Sequence, residues 1–333
     1  MEVSNSAQIV IPTQNVVTVV NSNIPSVQQH AQLDRSIESR QTFDVYPEPR
    51  DAAISAPIEF VVHPVPGHYL DMSSIYIDVK LEMTEEDGTR VNIAGWRTIH
   101  FINNLSQTLW NVIMVHLNDA VIESNYNNPQ IAFMQQILTT PDVLIKERGV
   151  IQGAFTITPT SHLNLFTNGN MADDATLATR FRYAKGNPVH LVAPLHLNVS
   201  SCSKYLLDGV TLRIGLEQAP NAFVTNDYHN QNFRCKITSV KLRMDRVKPS
   251  EGALFSTTKM AIKRPIEYLM RRNIMFTTIF PTNHSEITVW RPFQGVIPER
   301  LYFFLVDQRA ANGARTRNPF FMDDAIYVPI LSG

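Results

Sequence analysis

This chain of 333 residues contains few cysteines and few charged side chains. Its two cysteines, Cys202 and Cys235, have neither metal-ligand spacing nor a disulfide framework, which favours a reducing compartment. Charged residues make up 18% of the chain, compared with ~25% for an average soluble domain. So few charges suit a protein whose faces are covered by other copies of itself, although one large core would also explain the value.

Targeting and catalytic signals are also missing from the sequence. The first residues contain no basic segment followed by an apolar one, so we expect no secretory signal, and no apolar run approaches the ~20 residues of a membrane span. The chain has no nucleophile elbow, phosphate-binding loop, zinc-protease motif or dinucleotide fingerprint. We therefore expect no enzyme, no cofactor, no metal and no small-molecule substrate.

The acidic pairs and two of the histidines are weak candidates for a site. The neighbours in Asp173-Asp174 and in Asp323-Asp324 point to opposite sides of an extended chain, so neither pair forms a carboxylate dyad. His190 and His196 lie on the polar face of one predicted strand, where six residues span ~20 Å, too far to share a metal.

Two further groups are possible binding residues. His63 and His68 flank a turn and could approach each other, but without carboxylate or thiol partners a structural role is favoured. Lys263-Arg264 and Arg271-Arg272 are the densest basic spots, and no aromatic ladder accompanies them. Sequence-specific recognition of nucleic acid is therefore not expected, while non-specific contact with packaged DNA stays open.

The chain is rich in strands that are apolar on one face. In residues 75–83 the apolar side chains of Ile75, Ile77, Val79, Leu81 and Met83 alternate with polar ones, and residues 189–197 and 210–216 repeat the pattern. Such strands spread over a whole chain predict a sandwich of antiparallel sheets and not an α/β enzyme.

Other elements follow from the same patterns and from turn residues. We predict strands at 57–62, 69–83, 105–117, 120–123, 233–245, 274–280, 285–290 and 300–307, with a bulge where the alternation slips between Ile237 and Val240. Helices are predicted at 129–139 and within 249–260, long loops over 140–185, and a basic loop at 313–319.

The first 50 residues differ in composition from the rest. They are rich in Gln, Ser, Asn, Val and Pro, which predicts an extended arm that does not fold alone. Residues 16–20 (Val-Val-Thr-Val-Val) form one strong β-forming segment, which could add a strand to the sheet of a neighbouring subunit. The alternative is a frayed terminus.

Several segments, in order, resemble the double-jelly-roll major capsid (hexon) proteins of Maverick/Polinton elements and adintoviruses. The resemblance covers roughly residues 56–320, and its specificity comes from the order and spacing of the segments. They are 56–60 (Ala-Pro-Ile-Glu-Phe), 69–77, 102–110 (Ile-Asn-Asn-Leu-Ser-Gln-Thr-Leu-Trp), 115–119, 127–129, 204–214 (Lys-Tyr-Leu-Leu-Asp-Gly-Val-Thr-Leu-Arg-Ile), 222–223, 298–301, 304–307 and 318–320 (Asn-Pro-Phe).

This resemblance, with the strand patterns, implies an all-β fold of two jelly rolls in tandem. We expect an arm at 1–50, a first jelly roll at 51–220 and a second at 221–333. Members of the family continue beyond the Asn-Pro-Phe segment, so the second barrel is expected to be compact, incomplete or completed by another chain. The family provides no catalytic residues to carry over.

The function implied is a major capsid protein that forms homotrimers of pseudo-hexagonal outline in the icosahedral shell of a virus or virus-like mobile element. Its partners would be other capsid subunits, including a penton protein, and its location the virion, assembled inside the host cell. Two alternatives stay open. One is a single-jelly-roll penton protein, and the other is a lectin-like sandwich that binds sugar through Trp96, Trp110 or Trp290.

Overall fold

The computed structural model of the chain describes residues 9–10, 36–48, 57–91, 99–155, 187–227, 233–279, 298, 300–312, 318–320 and 322–328. Strands dominate these ranges, and the helices are short connections between them. The predicted all-β class is confirmed. No helix in the described ranges is long and apolar enough to cross a membrane.

The strands are numbered in chain order. They are β1 (Ile9–Val10), β2 (Ile37–Val45), β3 (Ile58–Val62), β4 (Tyr69–Thr84), β5 (Ile99–Phe101), β6 (Trp110–Leu117), β7 (Ala120–Tyr126), β8 (Val189–Pro194), β9 (Leu212–Gln218), β10 (Thr225–Asp227), β11 (Arg234–Pro249), β12 (Glu267–Tyr268), β13 (Leu301–Val306) and β14 (Met322–Val328).

The helices are α1 (Leu105–Thr108), α2 (Asn128–Thr139), α3 (Asp142–Gln152), α4 (Asn221–Val224), α5 (Glu251–Lys263) and α6 (Gln308–Ala311), with a 3₁₀ turn at Val199–Ser201. Ser250 caps the start of α5, because its hydroxyl accepts a hydrogen bond from the N–H of Ala253. Helices α2 and α3 form an insertion between β7 and β8.

Eight strands form a jelly roll. The first sheet has the order β2-β11-β4-β8 and the second sheet the order β3-β9-β6-β7. All neighbours in both sheets are antiparallel, and the chain passes repeatedly from one sheet to the other. Two facing four-stranded sheets with this order are the jelly-roll sandwich, which buries one face of every strand.

Period-two alternation places the apolar side chains of both sheets in a common core. In the first sheet Ile77 pairs with Leu242 and Val79 with Val240, and all four side chains are buried. Phe60 on β3 is fully buried in the same cluster. Burying a large apolar side chain contributes about 1.5–3 kcal/mol, so alternation is the main reason for the fold.

The limits of this sandwich differ from the predicted domain limits at residues 50 and 220. Strand β2 falls within the predicted arm, and β11 falls beyond the predicted end of the first jelly roll, yet β11 pairs with both β2 and β4. The apolar side of β11, including Leu242 and Met244, faces the core that β4 also faces. The sandwich therefore extends from residue 37 to residue 249, and β11 closes it instead of opening a second barrel.

Most predicted elements are present. Strands β3, β4, β7 and β13 and helices α2 and α5 lie where they were predicted, and the ladder between β11 and β4 shifts register between Ile237 and Ser239, confirming the bulge. Three predictions were wrong: residues 105–108 form a helix before β6, the predicted loop contains α3, and 274–279 form no strand. An alternating pattern of apolar residues forms a strand only where its backbone can pair with the edge of a neighbouring strand.

The chain after the sandwich makes a second, smaller set of contacts. Strands β13 and β14 form an antiparallel hairpin, and β12 pairs with β1 near the amino terminus. Ile266 and Tyr268 are buried in the sandwich core, and the Tyr268 hydroxyl donates to the carbonyl of Tyr205 at 3.0 Å. Since β11 belongs to the first sandwich, a second jelly roll stays a prediction only for the chain beyond residue 249. Strand addition by residues 16–20 also stays a prediction, because they lie outside the described residues.

Candidate functional site

A row of charges crosses the outer face of the first sheet. The ring Nε2 of His190 lies 2.7 Å from one carboxylate oxygen of Asp78, and the other oxygen lies 3.6 Å from the Lys241 ammonium nitrogen. Lys241 and Arg243 then flank Asp44 at 2.7 and 3.0 Å. The hydrogen bonds from Arg243 and Lys241 hold the pKa of Asp44 below its ordinary value. The pairs join neighbouring strands, so the row stabilises the sheet.

An open cavity of about 360 Å³ lies where β2 and β3 end. Its walls include Phe43, Tyr46, Val62 and Arg246. The Arg246 guanidinium carbon lies 4.3 Å from the centre of the Phe43 ring, and burial lowers the pKa of Arg246. The cation therefore packs on an aromatic face and supports β2.

The helical insertion is attached to the sandwich by buried carboxamides. The Asn103 side chain donates to the carbonyl of Phe155 at 2.9 Å and accepts from the Phe155 N–H at 2.8 Å. Both residues are buried, so the carboxamide of Asn103 provides the hydrogen bonds that the backbone N–H and carbonyl of Phe155 need. This contact joins residues 52 positions apart in sequence.

Two more carboxamides complete this buried amide cluster of Asn103, Gln107 and Asn128. The Asn128 side chain donates to the carbonyls of Gln107 and Trp110, both at 3.2 Å. The Gln107 side chain donates to the carbonyl of Pro194 and accepts from the N–H of His196. The cluster therefore holds α1, α2 and the end of β8 together. Moving them apart would leave the bonded backbone carbonyls without a hydrogen-bond donor.

Three asparagines hold left-handed turns around the insertion. Asn104, Asn118 and Asn127 have φ values of 56°, 52° and 60°. Asparagine tolerates this region better than most residues. Asn104 precedes α1 and Asn127 precedes α2, so the two residues set the directions in which those helices leave the strands.

A buried carboxyl group lies between the second sheet and the 3₁₀ turn. Glu123 on β7 is 2% exposed, and it accepts hydrogen bonds from the Asn198 N–H at 2.7 Å and from the Asn125 side chain at 2.5 Å. Burial raises the pKa of Glu123 to about 7, although the N–H groups of Asn198 and Val199 offset part of that effect.

Helix α3 approaches the following chain too closely for any side chain at Gly149. The Gly149 carbonyl accepts from the Ala154 N–H at 2.8 Å. A Cβ atom at Gly149 would lie 1.9 Å from the carbonyl oxygen of Ala154. This contact determines which side of α3 faces the sandwich.

Gly149→Ala is expected to lower the free energy of unfolding by about 2 kcal/mol, because backbone atoms cannot move away from the new methyl group without distorting the end of α3. Gly252→Ala is the matched control, since a Cβ there meets nothing within 4 Å and glycine disfavours a helix. Chemical denaturation of both variants checks this. Equal stabilities would show that α3 shifts freely on the sandwich.

The Asn-Pro-Phe segment inserts into the same region. Phe320 is 1% exposed, stacks on Phe133 of α2 with 4.2 Å between ring centres, and meets Phe223 edge-on at 6.0 Å. The Asn318 side chain accepts from the Phe320 N–H at 3.0 Å. The chain beyond the sandwich is therefore attached to the helical insertion.

The remaining sequence candidates are not brought together into a site. His190 lies on β8 in the charged row, while His196 lies beyond the strand end at Pro194, and burial lowers the pKa of His196. His68 contacts the carbonyl of Pro66 through Nδ1 at 3.1 Å. The described ranges contain no group of three or more His, Cys, Asp or Glu side chains able to hold a metal.

The other candidates divide between exposed and undescribed positions. Lys263, Arg264, Arg271 and Arg272 are exposed. Asp173-Asp174, Trp96 and Trp290 lie outside the described residues, and the side chains of Asp323-Asp324 are likewise not described. Trp110, one of the three candidate sugar-binding tryptophans, is fully buried in the core.

Sequence reasoning missed the amide cluster and Glu123. The only signal for the cluster was the resemblance of residues 102–110. Five of these nine residues are polar, so their burial was not expected from composition: Asn103, Asn104, Ser106, Gln107 and Thr108. Glu123 gave no signal, because a glutamate at the end of a predicted strand is normally exposed.

Three solved structures of viral particles or capsid proteins are similar to this chain. A structure of the Sputnik virophage aligns with a TM-score of 0.46 and 14% identity, covering 72% of this chain and 53% of that chain. The Faustovirus major capsid protein aligns with a TM-score of 0.43 and 7% identity, covering 70% and 58%. The mavirus major capsid protein aligns with a TM-score of 0.38 and 11% identity, covering 88% and 56%.

This chain therefore spans little more than half the length of each of these three structures. No protein-family profile matches the chain, and no curated protein matches its sequence.

Proposed function

We propose that this protein is a structural capsid subunit of a virus or virus-like mobile element. The observation that carries the proposal is the eight-stranded jelly roll of residues 37–249, with sheet orders β2-β11-β4-β8 and β3-β9-β6-β7. Jelly rolls with two such sheets build viral capsids, and they also occur in lectins and cupins. The sequence resemblance over residues 56–320 favours the capsid among these.

The positions of the resembling segments support this choice. They place Asn104, Asn118 and Asn127 at the left-handed turns and Asn103 and Gln107 in the buried amide cluster. The 318–320 segment supplies the buried Phe320 ring. The resemblance thus falls on residues that determine the geometry of the barrel and its helical insertion, as expected for a structural protein.

The sugar-binding alternative has less support. A lectin presents aromatic rings to its ligand, but Trp110 lies in the core with none of its surface exposed. In the cavity at the ends of β2 and β3, the Arg246 guanidinium covers the Phe43 ring. Neither Trp110 nor Phe43 therefore offers a sugar the flat exposed ring that it needs.

We also propose two jelly rolls per subunit, which lets a homotrimer present the pseudo-hexagonal outline of a hexon. Beyond β11 the chain continues through α5 to the β13–β14 hairpin, which supplies strands for a second sheet. Penton proteins and other capsid subunits would then be the partners in a virion assembled inside the host cell. The exposed pairs Lys263-Arg264 and Arg271-Arg272 provide a non-specific contact for packaged DNA.

Native mass of the purified chain tests the proposal. Three copies are expected for a hexon-like subunit, since two barrels in each of three copies surround a local six-fold position. Five copies would favour the penton alternative, and a monomer at high concentration together with binding on a glycan array would favour the lectin. Electron microscopy of concentrated protein then checks whether the oligomers form shells.

A further inference from the structure

Among the six basic residues that the structure describes on β11, one has no carboxylate partner. The other five lie 2.7–3.8 Å from a carboxylate oxygen: Arg234, Lys236, Lys241, Arg243 and Lys248. Arg246 is the exception, since within the described ranges neither an ion pair nor a hydrogen bond joins its guanidinium to another residue. The charge of Arg246 is therefore available to a ligand.

Arg246 lies on the side of β11 that faces the core. Period-two alternation puts it on the same side as the fully buried Met244, and its guanidinium carbon lies 4.3 Å from the centre of the Phe43 ring. Burial lowers the pKa of Arg246, whereas the hydrogen bond to Asp44 raises the pKa of Arg243. A partly desolvated guanidinium with five N–H donors is costly unless an acceptor meets it.

The cavity at the ends of β2 and β3 gives such an acceptor room. Its volume of about 360 Å³ falls in the range of small-ligand pockets, which combine apolar walls with a few polar groups. Val45, Val62 and Val65 provide apolar wall beside Arg246. The Phe43 ring restricts the guanidinium, so little conformational entropy is lost when an acceptor binds.

Two carboxylates also line the cavity and limit the charge that it accepts. Asp44 lies 2.7 Å from Lys241 and 3.0 Å from Arg243, which offset its charge. Glu48 is exposed, so solvent screens its charge but does not remove it. A second negative charge on the ligand would be repelled by these carboxylates. The cavity therefore suits a monoanion and not a phosphate dianion.

We propose that this cavity binds a carboxylate borne on a small apolar body. The carboxylate accepts two parallel N–H bonds from Arg246, and the apolar body packs against the three valines. A planar guanidinium matches a carboxylate in this bidentate geometry. A free aliphatic acid and the acidic side chain of a docked peptide both have this chemistry. The site lies within one subunit, so it does not depend on the proposed capsid role.

Saturation-transfer NMR titration with isocaproate tests the site, and isocaproamide is the uncharged match. The acid is expected to bind with a dissociation constant of about 1 mM or tighter. The amide should bind about tenfold more weakly, because only the acid forms the charged pair. Calorimetric titration with inorganic phosphate at about pH 8 tests the charge. Phosphate binding as tight as that of isocaproate overturns the proposed ligand class, and no binding of isocaproate overturns the site.

Substitutions locate the bound acid. Arg246→Gln should weaken isocaproate binding by about tenfold or more, because it removes the charge and the bidentate donors. Arg234→Gln is the matched control, since Arg234 lies on the same strand, pairs with Glu86 at 3.5 Å and lies outside the cavity lining. Val65→Phe keeps Arg246 but fills the cavity, so it should also weaken binding, and it carries the test if thermal melting shows Arg246→Gln unfolded. Unchanged affinity in the folded variants overturns the proposal.

Short peptides separate the two sources of the carboxylate. Acetyl-Leu-Glu-Leu-amide carries a carboxylate between apolar side chains, and acetyl-Leu-Gln-Leu-amide is its neutral match. Tighter binding of the acidic peptide than of isocaproate supports the site with a docked segment as its ligand, whereas binding of isocaproate alone supports it with a free acid. A trimer that does not bind isocaproate overturns this inference alone. A monomer that binds isocaproate contradicts the capsid role and supports the site.

Discussion

Removing residues 1–48 should abolish cooperative folding, whereas removing residues 1–35 should change the free energy of unfolding by less than about 1 kcal/mol. Both truncations remove β1 and its two residue pairs with β12, so the difference between them is strand β2. Without it, the long strand β11 becomes an open edge, and the buried Val45 leaves the core. Lost backbone pairing over eight residue pairs, with loss of core contacts, is expected to exceed about 5 kcal/mol.

Charge pairs add to the effect of the longer deletion. Arg40 lies 3.0 Å from Asp71 and 3.3 Å from Asp245, and the Thr42 hydroxyl donates to Asp245 at 2.7 Å. Deletion removes these Arg40 and Thr42 partners from two carboxylates that are largely buried. Chemical denaturation followed by tryptophan fluorescence measures both truncations. Similar stability of the two would mean that β2 is a dispensable arm, as its composition first indicated.

Glu123 should make stability fall as the pH rises from about 4.5 to about 7. Its pKa is raised in the folded state, so the folded chain binds more protons than the unfolded chain in this window. At low pH the carboxyl group is neutral in both states and does not lower the free energy of unfolding. Above pH 7 it ionises in the buried site, which lowers the free energy of unfolding. The penalty, at 1.36 kcal/mol per unit, amounts to about 3 kcal/mol at pH 8.

Glu123→Gln should remove this dependence, because the amide cannot ionise and has the same shape. Its oxygen accepts from the Asn198 N–H, and a flipped Asn125 carboxamide accepts from its nitrogen. Relative to the unsubstituted chain, the variant is expected to gain about 3 kcal/mol between pH 4 and pH 8.

Denaturation at several pH values measures this difference. The buried His196, whose pKa is lowered, gives the opposite slope below its ordinary value of 6.5, so only the difference between the two chains isolates Glu123. Glu217→Gln changes an exposed carboxyl group on β9 and is the matched control. A constant difference at all pH values would show that the hydrogen-bond donors keep Glu123 ionised throughout.

The sequence by itself predicted the local elements well. Alternation located β3, β4 and β13, a phase slip located the bulge in β11, and Asn-Pro located the start of α2. These features depend on side chains a few residues apart, which the sequence shows directly. The all-β class followed because one-sided strands occur along the whole chain.

The candidate surfaces were much harder to predict. Helix α3 was predicted as loop because its apolar residues form an exposed stripe and its buried side is marked by a glycine. The amide cluster depends on Asn103 meeting Phe155, 52 residues away in sequence. Neither local pattern nor spacing reveals which carbonyl a buried carboxamide will meet.

Tertiary structure alone decided where the sandwich ends. Alternation shows which face of a strand is apolar, but it does not show which sheet the strand joins. Strand β11 therefore looked like the start of a new barrel, and β2 like part of an arm. In the folded chain, β11 pairs with the edge of β4, and Leu242 and Met244 pack into the core that β4 also faces. Strand β2 then pairs with the other edge of β11. The sequence determined that these strands have one apolar face, and the burial of that face against distant strands decided which barrel they complete.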